Sequence, residues 1–214
     1  MAASQRAHSL LETSQTRLEG IYRLPQAPSP LSFLTTLPGH QTKQGEQHSE
    51  EQLLIHQPVQ GGDELAVGLY LSTELLARLN HHNQAALCDI ATAIEGVSHL
   101  RYLIYKASND HCVTGLELEL QAEVDKFLLL ASSHHTLPSL RRQLFHRNRL
   151  RTGMSSKLQE RYRESNRLAA RYCRYLERRY FGCNSLEALR HELGRFYRMD
   201  HHKKIRHASL AQPH

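Results

Sequence analysis

Apolar residues return at helical spacing through most of the chain after its first third. Across 83–106, Leu87, Ile90, Ile94, Val97 and Ile104 fall on one stripe, interrupted by Arg101. Ser108-Asn109-Asp110 ends that segment, and Thr114-Gly115-Leu116-Glu117 has the spacing of a capping box. Leu116, Leu120, Val124 and Phe127 form the stripe of the helix it opens. Together these segments predict an αα-hairpin over 83–131. After Pro138 the pattern predicts a basic helix over 139–151 and a long one over 156–181. The long helix carries Leu158, Tyr162, Ser165, Ala169, Tyr172 and Leu176 on one face. Gly182 suits its end, and Asn184-Ser185-Leu186-Glu187 opens a last helix running to about Met199.

Before the hairpin the pattern weakens. Ser72-Thr73-Glu74 starts a short helix with Leu75, Leu76 and Leu79, and the apolar run from Leu65 to Leu71 suits either a strand or a helix lead-in. Residues 1–62 are rich in Gln, Ser, Thr, Pro and His, with a stiff Leu24–Pro30 linker and Gly61-Gly62 at the end. They are expected to form a disordered extension, with at most a short helix over 49–56. Residues 201–214 are expected to fray. The predicted fold is therefore all-α: a small bundle of about five helices over 63–200, flanked by flexible ends. Packing the hairpin on the later helices would bury Leu87, Ile90, Ile94, Leu120, Val124, Phe127, Ala169, Tyr172 and Leu176.

Charge changes the picture more than composition does. The 214 residues carry a net charge of +6, unevenly spread. From Arg141 onward there are 19 Lys+Arg against 6 Asp+Glu, while the first 140 residues are net acidic. The acidic hairpin 83–131 and the basic helices 139–199 thus form two poles. On the 156–181 helix, Arg163, Arg167, Arg171, Arg174 and Arg178 step by four, four, three and four, which aligns them on one face about 22 Å long. Arginine forks match phosphate oxygens, and Tyr172, Tyr175 and Tyr180 offer rings for base stacking. Alternatively, the stripe pairs with Glu117, Glu119, Glu123 and Asp125, or is simply solvated. No helix-turn-helix, zinc-finger or aromatic RNA-binding signature accompanies it.

A second constellation is polar. Glu95, His99, Tyr102 and Lys106 share a face of the 83–106 helix, and Glu119 and Glu123 stand four apart on the next. Carboxylates and imidazole suit iron, zinc or manganese, so Glu95, His99, Glu119 and Glu123 are candidate metal ligands between two helices. The spacing is Glu-x-x-x-His, which departs from the Glu-x-x-His of ferritin-like centres. Lys126, three residues from Glu123, reads as a local helix ion pair. No cofactor motif, nucleophile elbow or Gly-rich phosphate loop is present. The cysteines form no C-x-x-C pair, and neither a signal peptide nor a membrane span is found, so a cytoplasmic location with reduced thiols is expected.

Three stretches, Glu95 to Tyr102, Leu116 to Phe127, and Arg161 to Cys173 with Arg195 to Arg198, together resemble an uncharacterised family of bacterial cytoplasmic proteins over about 64–200. The resemblance implies a bacterial, intracellular protein and carries no activity or site residue with it. The expected function is a non-enzymatic binding or adaptor role in which the arginine-lined helix engages an acidic protein or nucleic acid. The alternative is an enzyme or sensor with a polar or metal site around Glu95, His99, Glu119 and Glu123.

Overall fold

Residues 5–36, 50–56, 66–81, 85–131, 136–146, 155–181 and 185–211 are described by a computed structural model, and the first of them already depart from the expected pattern. Gln5–Tyr22 forms helix α1, with Ala7, Leu11, Leu18 and Tyr22 buried along one side. The helix stops at Arg23, whose left-handed φ of 52° lets the Leu24 N–H reach back to the Glu19 carbonyl at 2.9 Å. A 3₁₀ turn, Pro30–Phe33, leads into strand β1 (Leu34–Thr35).

The segment expected as a short helix over 49–56 is instead strand β2 (Glu51–His56), and the ambiguous apolar run is strand β3 (Ala66–Leu71). The sheet order is β1-β3-β2. β1 runs parallel to β3, and β2 pairs antiparallel with it, placing Glu51 opposite Leu71 and Leu53 opposite Leu69. Pairing with β3 supplies the backbone partners that so short an isolated helix would lack.

The helices that follow are α2 (Thr73–Asn80), α3 (Leu87–Ala107), α4 (Gly115–Ala131), α5 (Leu137–His146), α6 (Ser156–Leu176), α7 (Leu186–Arg198) and α8 (His201–Leu210). A π-helical turn, Glu177–Phe181, extends α6. Ser72, Ser155, Ser185 and Asp200 cap α2, α6, α7 and α8 by accepting a backbone N–H. The chain is thus mostly helical, with eight α-helices and a small sheet among the described residues, where five helices and no sheet were expected. The expected fraying tail contains α8, whose Lys204 and Ala208 are buried. The N-terminal arm is also docked: Arg101, read as a break in a stripe, is buried and donates to Glu19 at 3.0 Å and to the Pro25 carbonyl. An arginine inside a bundle needs acceptors, and the arm supplies them.

Helix α4 is the centre of the fold. Every residue from Glu119 to Leu130 is buried, and α4 packs against α1, α3, α5, α6 and α8. The hairpin of α3 and α4 therefore presents no acidic face to solvent. Glu117, Glu119, Glu123 and Asp125 point into the protein, because a helix enclosed on all sides has no wet face for them.

Candidate functional site: a buried carboxylate–histidine centre

The polar positions of α3 and α4 form two separate networks. The first is structural. Tyr102 donates to Glu117, Lys106 meets the same carboxylate at 2.9 Å and donates to the Met199 carbonyl at 2.7 Å, and Lys204 donates to Tyr102 at 2.8 Å. Burial among Tyr102, Phe196 and Tyr197 drives the Lys204 pKa well below its usual range. Nearby, Asp125 accepts from Tyr22, Ser98 and Gln121. Tyr102 and Lys106 therefore serve this network and not the one containing Glu95 and His99, although all four share a stripe.

The second network is the candidate site. β2 supplies Glu51, α3 supplies Glu95 and His99, and α4 supplies Glu119, Glu123 and Lys126. His99 Nδ1 lies 3.2 Å from Glu51 Oε1, and His99 Nε2 lies 3.5 Å from Glu119 Oε2. Lys126 Nζ bridges Glu95 at 2.8 Å and Glu123 at 2.9 Å. One donor atom each from Glu51, Glu95 and His99 lie within 4.8 Å of one another. Glu95, His99, Glu119 and Glu123 are thus brought together as neighbours.

Local sequence makes this approach possible. Glu95 and His99 are one helical turn apart, and Gly96 between them clears the way for the sheet. A Cβ at Gly96 would sit 2.9 Å from Leu69 Cδ1 and 3.0 Å from Glu51 Cγ, so any larger residue would force these two side chains to shift.

The electrostatics follow from burial. Removal from water raises the Glu51 carboxyl pKa, an effect His99 partly offsets, and it raises that of Glu123 against the pull of Lys126. Burial opposes charge on His99, yet Glu51 and Glu119 outweigh it and hold the imidazole well above its ordinary pKa. Lys126 is likewise held protonated against burial by Glu123 and Glu95. Four carboxylates meet Lys126, His99 and the Arg161 guanidinium, whose Nη2 is 3.6 Å from Glu119. Burial, then Glu119, Glu95 and Glu51, push the Tyr162 hydroxyl up, which puts that ring at the edge of the same field. His99 Nε2 and Glu123 Oε2 are buried without a hydrogen-bond partner.

The arginines lie elsewhere. Arg163, Arg167, Arg171 and Arg174 on α6 and Arg178 in the π-helical turn are all exposed. Arg167 forms a bidentate pair with Glu164 at 2.8 and 2.7 Å, and Arg163 reaches Gln159 at 3.4 Å. Arg171, Arg174 and Arg178 make no ion pair among the described residues. The pairing of this stripe with Glu117, Glu119, Glu123 and Asp125 weighed from sequence does not form: Glu117 meets Lys106, Glu123 meets Lys126, Glu119 lies against His99 and Arg161, and Asp125 accepts from Tyr22, Ser98 and Gln121. Of the stacking tyrosines, Tyr172 is fully buried, while Tyr175 and Tyr180 are half-buried and pack edge-on against each other.

Glu51, Lys126, Arg161 and Tyr162 were missed as site residues. Glu51 carried no signal, because its place depends on strand pairing. The local pair of Lys126 with Glu123 does form, but Lys126 also spans to Glu95 on another helix. Comparison with protein-family models, curated proteins and solved structures finds no match for this chain.

Proposed function

We propose that the protein binds a divalent transition-metal ion at Glu51, Glu95 and His99, and that this centre, with Glu119, Glu123 and Lys126 around it, makes it a metal-dependent enzyme or sensor. The observation that carries this reading is the convergence of three ligands from two elements within 4.8 Å, two of them buried and Glu95 partly so. Two carboxylates and an imidazole suit iron, zinc or manganese. Glu123 Oε2, buried without a hydrogen-bond partner, supports it, because buried polar atoms are otherwise almost always satisfied. Metal uptake displaces the proton from His99, so affinity rises with pH. The test is calorimetric titration of chelator-treated protein with Mn²⁺, Fe²⁺ and Zn²⁺, alongside Glu51→Gln and His99→Gln. One ion per chain, lost in both variants, is the expected result. A wild-type protein that takes up none of the three ions, while remaining folded, sinks the reading.

The exposed arginine face supports a second reading, in which the protein holds a nucleic-acid backbone through phosphate contacts without reading bases. Four stripe arginines free of ion pairs among the described residues, with Tyr172 buried and Tyr175 and Tyr180 packed against each other, favour backbone over base contact. Retention on heparin with a steep salt dependence is expected, reduced by replacing Arg171, Arg174 and Arg178 with Ala. Retention of acidic proteins in preference to DNA or RNA overturns it.

A further inference from the structure

Beside the N-terminus of α4 lies a groove of about 440 Å³. Leu116, Lys157, Arg161, Arg163 and Arg167 line it, together with Glu160 and Glu164. Four cations thus face two carboxylates, one of which is engaged by Arg167. Its volume falls within the range of small-ligand sites.

Arg161 distinguishes this groove from an ordinary basic surface. It is a wall residue of the groove, yet its guanidinium also reaches Glu119 of the buried centre. Its Nε is buried with no hydrogen-bond partner, and its 3.6 Å contact with Glu119 is too long for a hydrogen bond. Donor capacity is therefore unspent. The fold makes room for this side chain at Gly115, where a Cβ would stand 2.5 Å from Arg161 Nη1. The first turn of α4, with its positive dipole end, abuts the same wall. Spare arginine donors, excess positive charge and a helix N-terminus select an oxyanion with several acceptor oxygens.

We propose that this groove binds the phosphate group of a small phosphorylated substrate, and that Arg161 couples the bound phosphate to the carboxylate–histidine centre beneath it. The phosphate subsite stands on its own geometry; its role as the substrate anchor rests on the metal-centre reading. Small phosphate esters or diphosphates fit better than an extended polyanion, because the unsatisfied donor and the concavity lie at one end of the arginine stripe. Arg171, Arg174 and Arg178 lie outside the groove.

The probe is pyrophosphate, titrated calorimetrically into the full chain in the presence of EDTA. Saturable one-to-one binding is expected, weakened at least tenfold in Arg163→Ala/Arg167→Ala and unchanged in Arg171→Ala/Arg174→Ala. Gly115→Ala, which crowds Arg161 without removing charge, should also weaken it. Equal losses in the two arginine double variants would mean diffuse attraction by the whole face and overturn the proposal, as would the lack of saturable binding. Mn²⁺ titration of the same proteins separates the two readings. Intact Mn²⁺ uptake without pyrophosphate binding removes only the groove, and the reverse removes only the centre. Coupling is read from ³¹P relaxation of inorganic phosphate on Mn²⁺-loaded protein: enhancement that disappears in Arg163→Ala/Arg167→Ala supports it, and enhancement that persists in that variant removes it.

Discussion

Helices α4 and α6 are both dense in charge, and they treat it in opposite ways. On α4 each ionised group lies inside the protein and has an opposite charge or several donors against it: Glu117 with Lys106, Glu123 with Lys126, Asp125 with three hydrogen-bond donors. Along α6 and its π-helical turn the five stripe arginines face water, and only Arg167 has an ion pair among the described residues. The difference lies in solvent. A buried charge must be matched or the fold pays several kcal/mol, whereas an exposed guanidinium is stabilised by water and needs no protein partner. The two poles read along the chain therefore pack together through α4 and α6 without the arginine stripe pairing with the hairpin's carboxylates.

Substitutions can break this contrast, and their effects should fall off in order of burial. The largest belongs to Lys126→Met, which removes the buried cation shared by Glu95 and Glu123. It should cost roughly 3–5 kcal/mol in urea denaturation of chelated protein. A loss below 1 kcal/mol would show that the inner charges are not balanced as described.

Next comes Glu192 on α7, which accepts from Tyr172 at 3.1 Å and Arg195 at 2.7 Å and meets His207 at 2.6 Å. Burial raises its pKa, but His207 and Arg195 outweigh that and bring it down to about 2. Because the folded value lies below the ordinary 4.5, this stabilisation is present above pH 4.5 and is lost as pH falls towards 2. Glu192→Gln should cost about 2 kcal/mol at pH 7, allowing for the exposure of Arg195. Denaturation curves of variant and wild type should converge below pH 4.5. A pH-independent gap contradicts the ion pairing.

A smaller effect is expected of Gly96→Ala. The added methyl crowds Leu69 and Glu51, so about 1 kcal/mol should be lost after the gain in helix propensity. The variant should also bind Mn²⁺ more weakly, since Glu51 is pushed off α3. Unchanged Mn²⁺ affinity would mean that Glu51 is no ligand. Smallest of all, Arg171→Ala/Arg174→Ala should move the thermal midpoint hardly at all, within about 0.5 kcal/mol per site. A marked destabilisation would show that these arginines have partners.

Much of the site was legible because periodicity is local. Glu95 and His99 one turn apart, and Glu119 and Glu123 one turn apart, lie on facing helices whatever surrounds them. The same logic would have found α1, since Ala7, Leu11, Leu18 and Tyr22 repeat at helical spacing, but the Gln- and Ser-rich composition around them masked the stripe. Glu51 was not legible: it reaches His99 only because β2 pairs with β3 and Gly96 admits the sheet. Which of Glu95, His99, Tyr102 and Lys106 belong to the centre depends on where α4, α7 and α8 present their partners.

What the sequence determined by itself is the set of helical faces: the apolar stripes, the aligned arginines of α6 and the paired polar positions of α3 and α4. These follow from a repeat of 3.6 residues, a property of the chain within a few turns. Tertiary structure alone decided which of those faces meet water. Enclosing α4 among five other helices turned its carboxylates inward and gathered Glu119 and Glu123 with Glu51 and His99, while leaving the side of α6 that carries Arg163, Arg167, Arg171 and Arg174 facing water. Solvent access depends on what packs on every side of a helix, and that is set by contacts far apart along the chain.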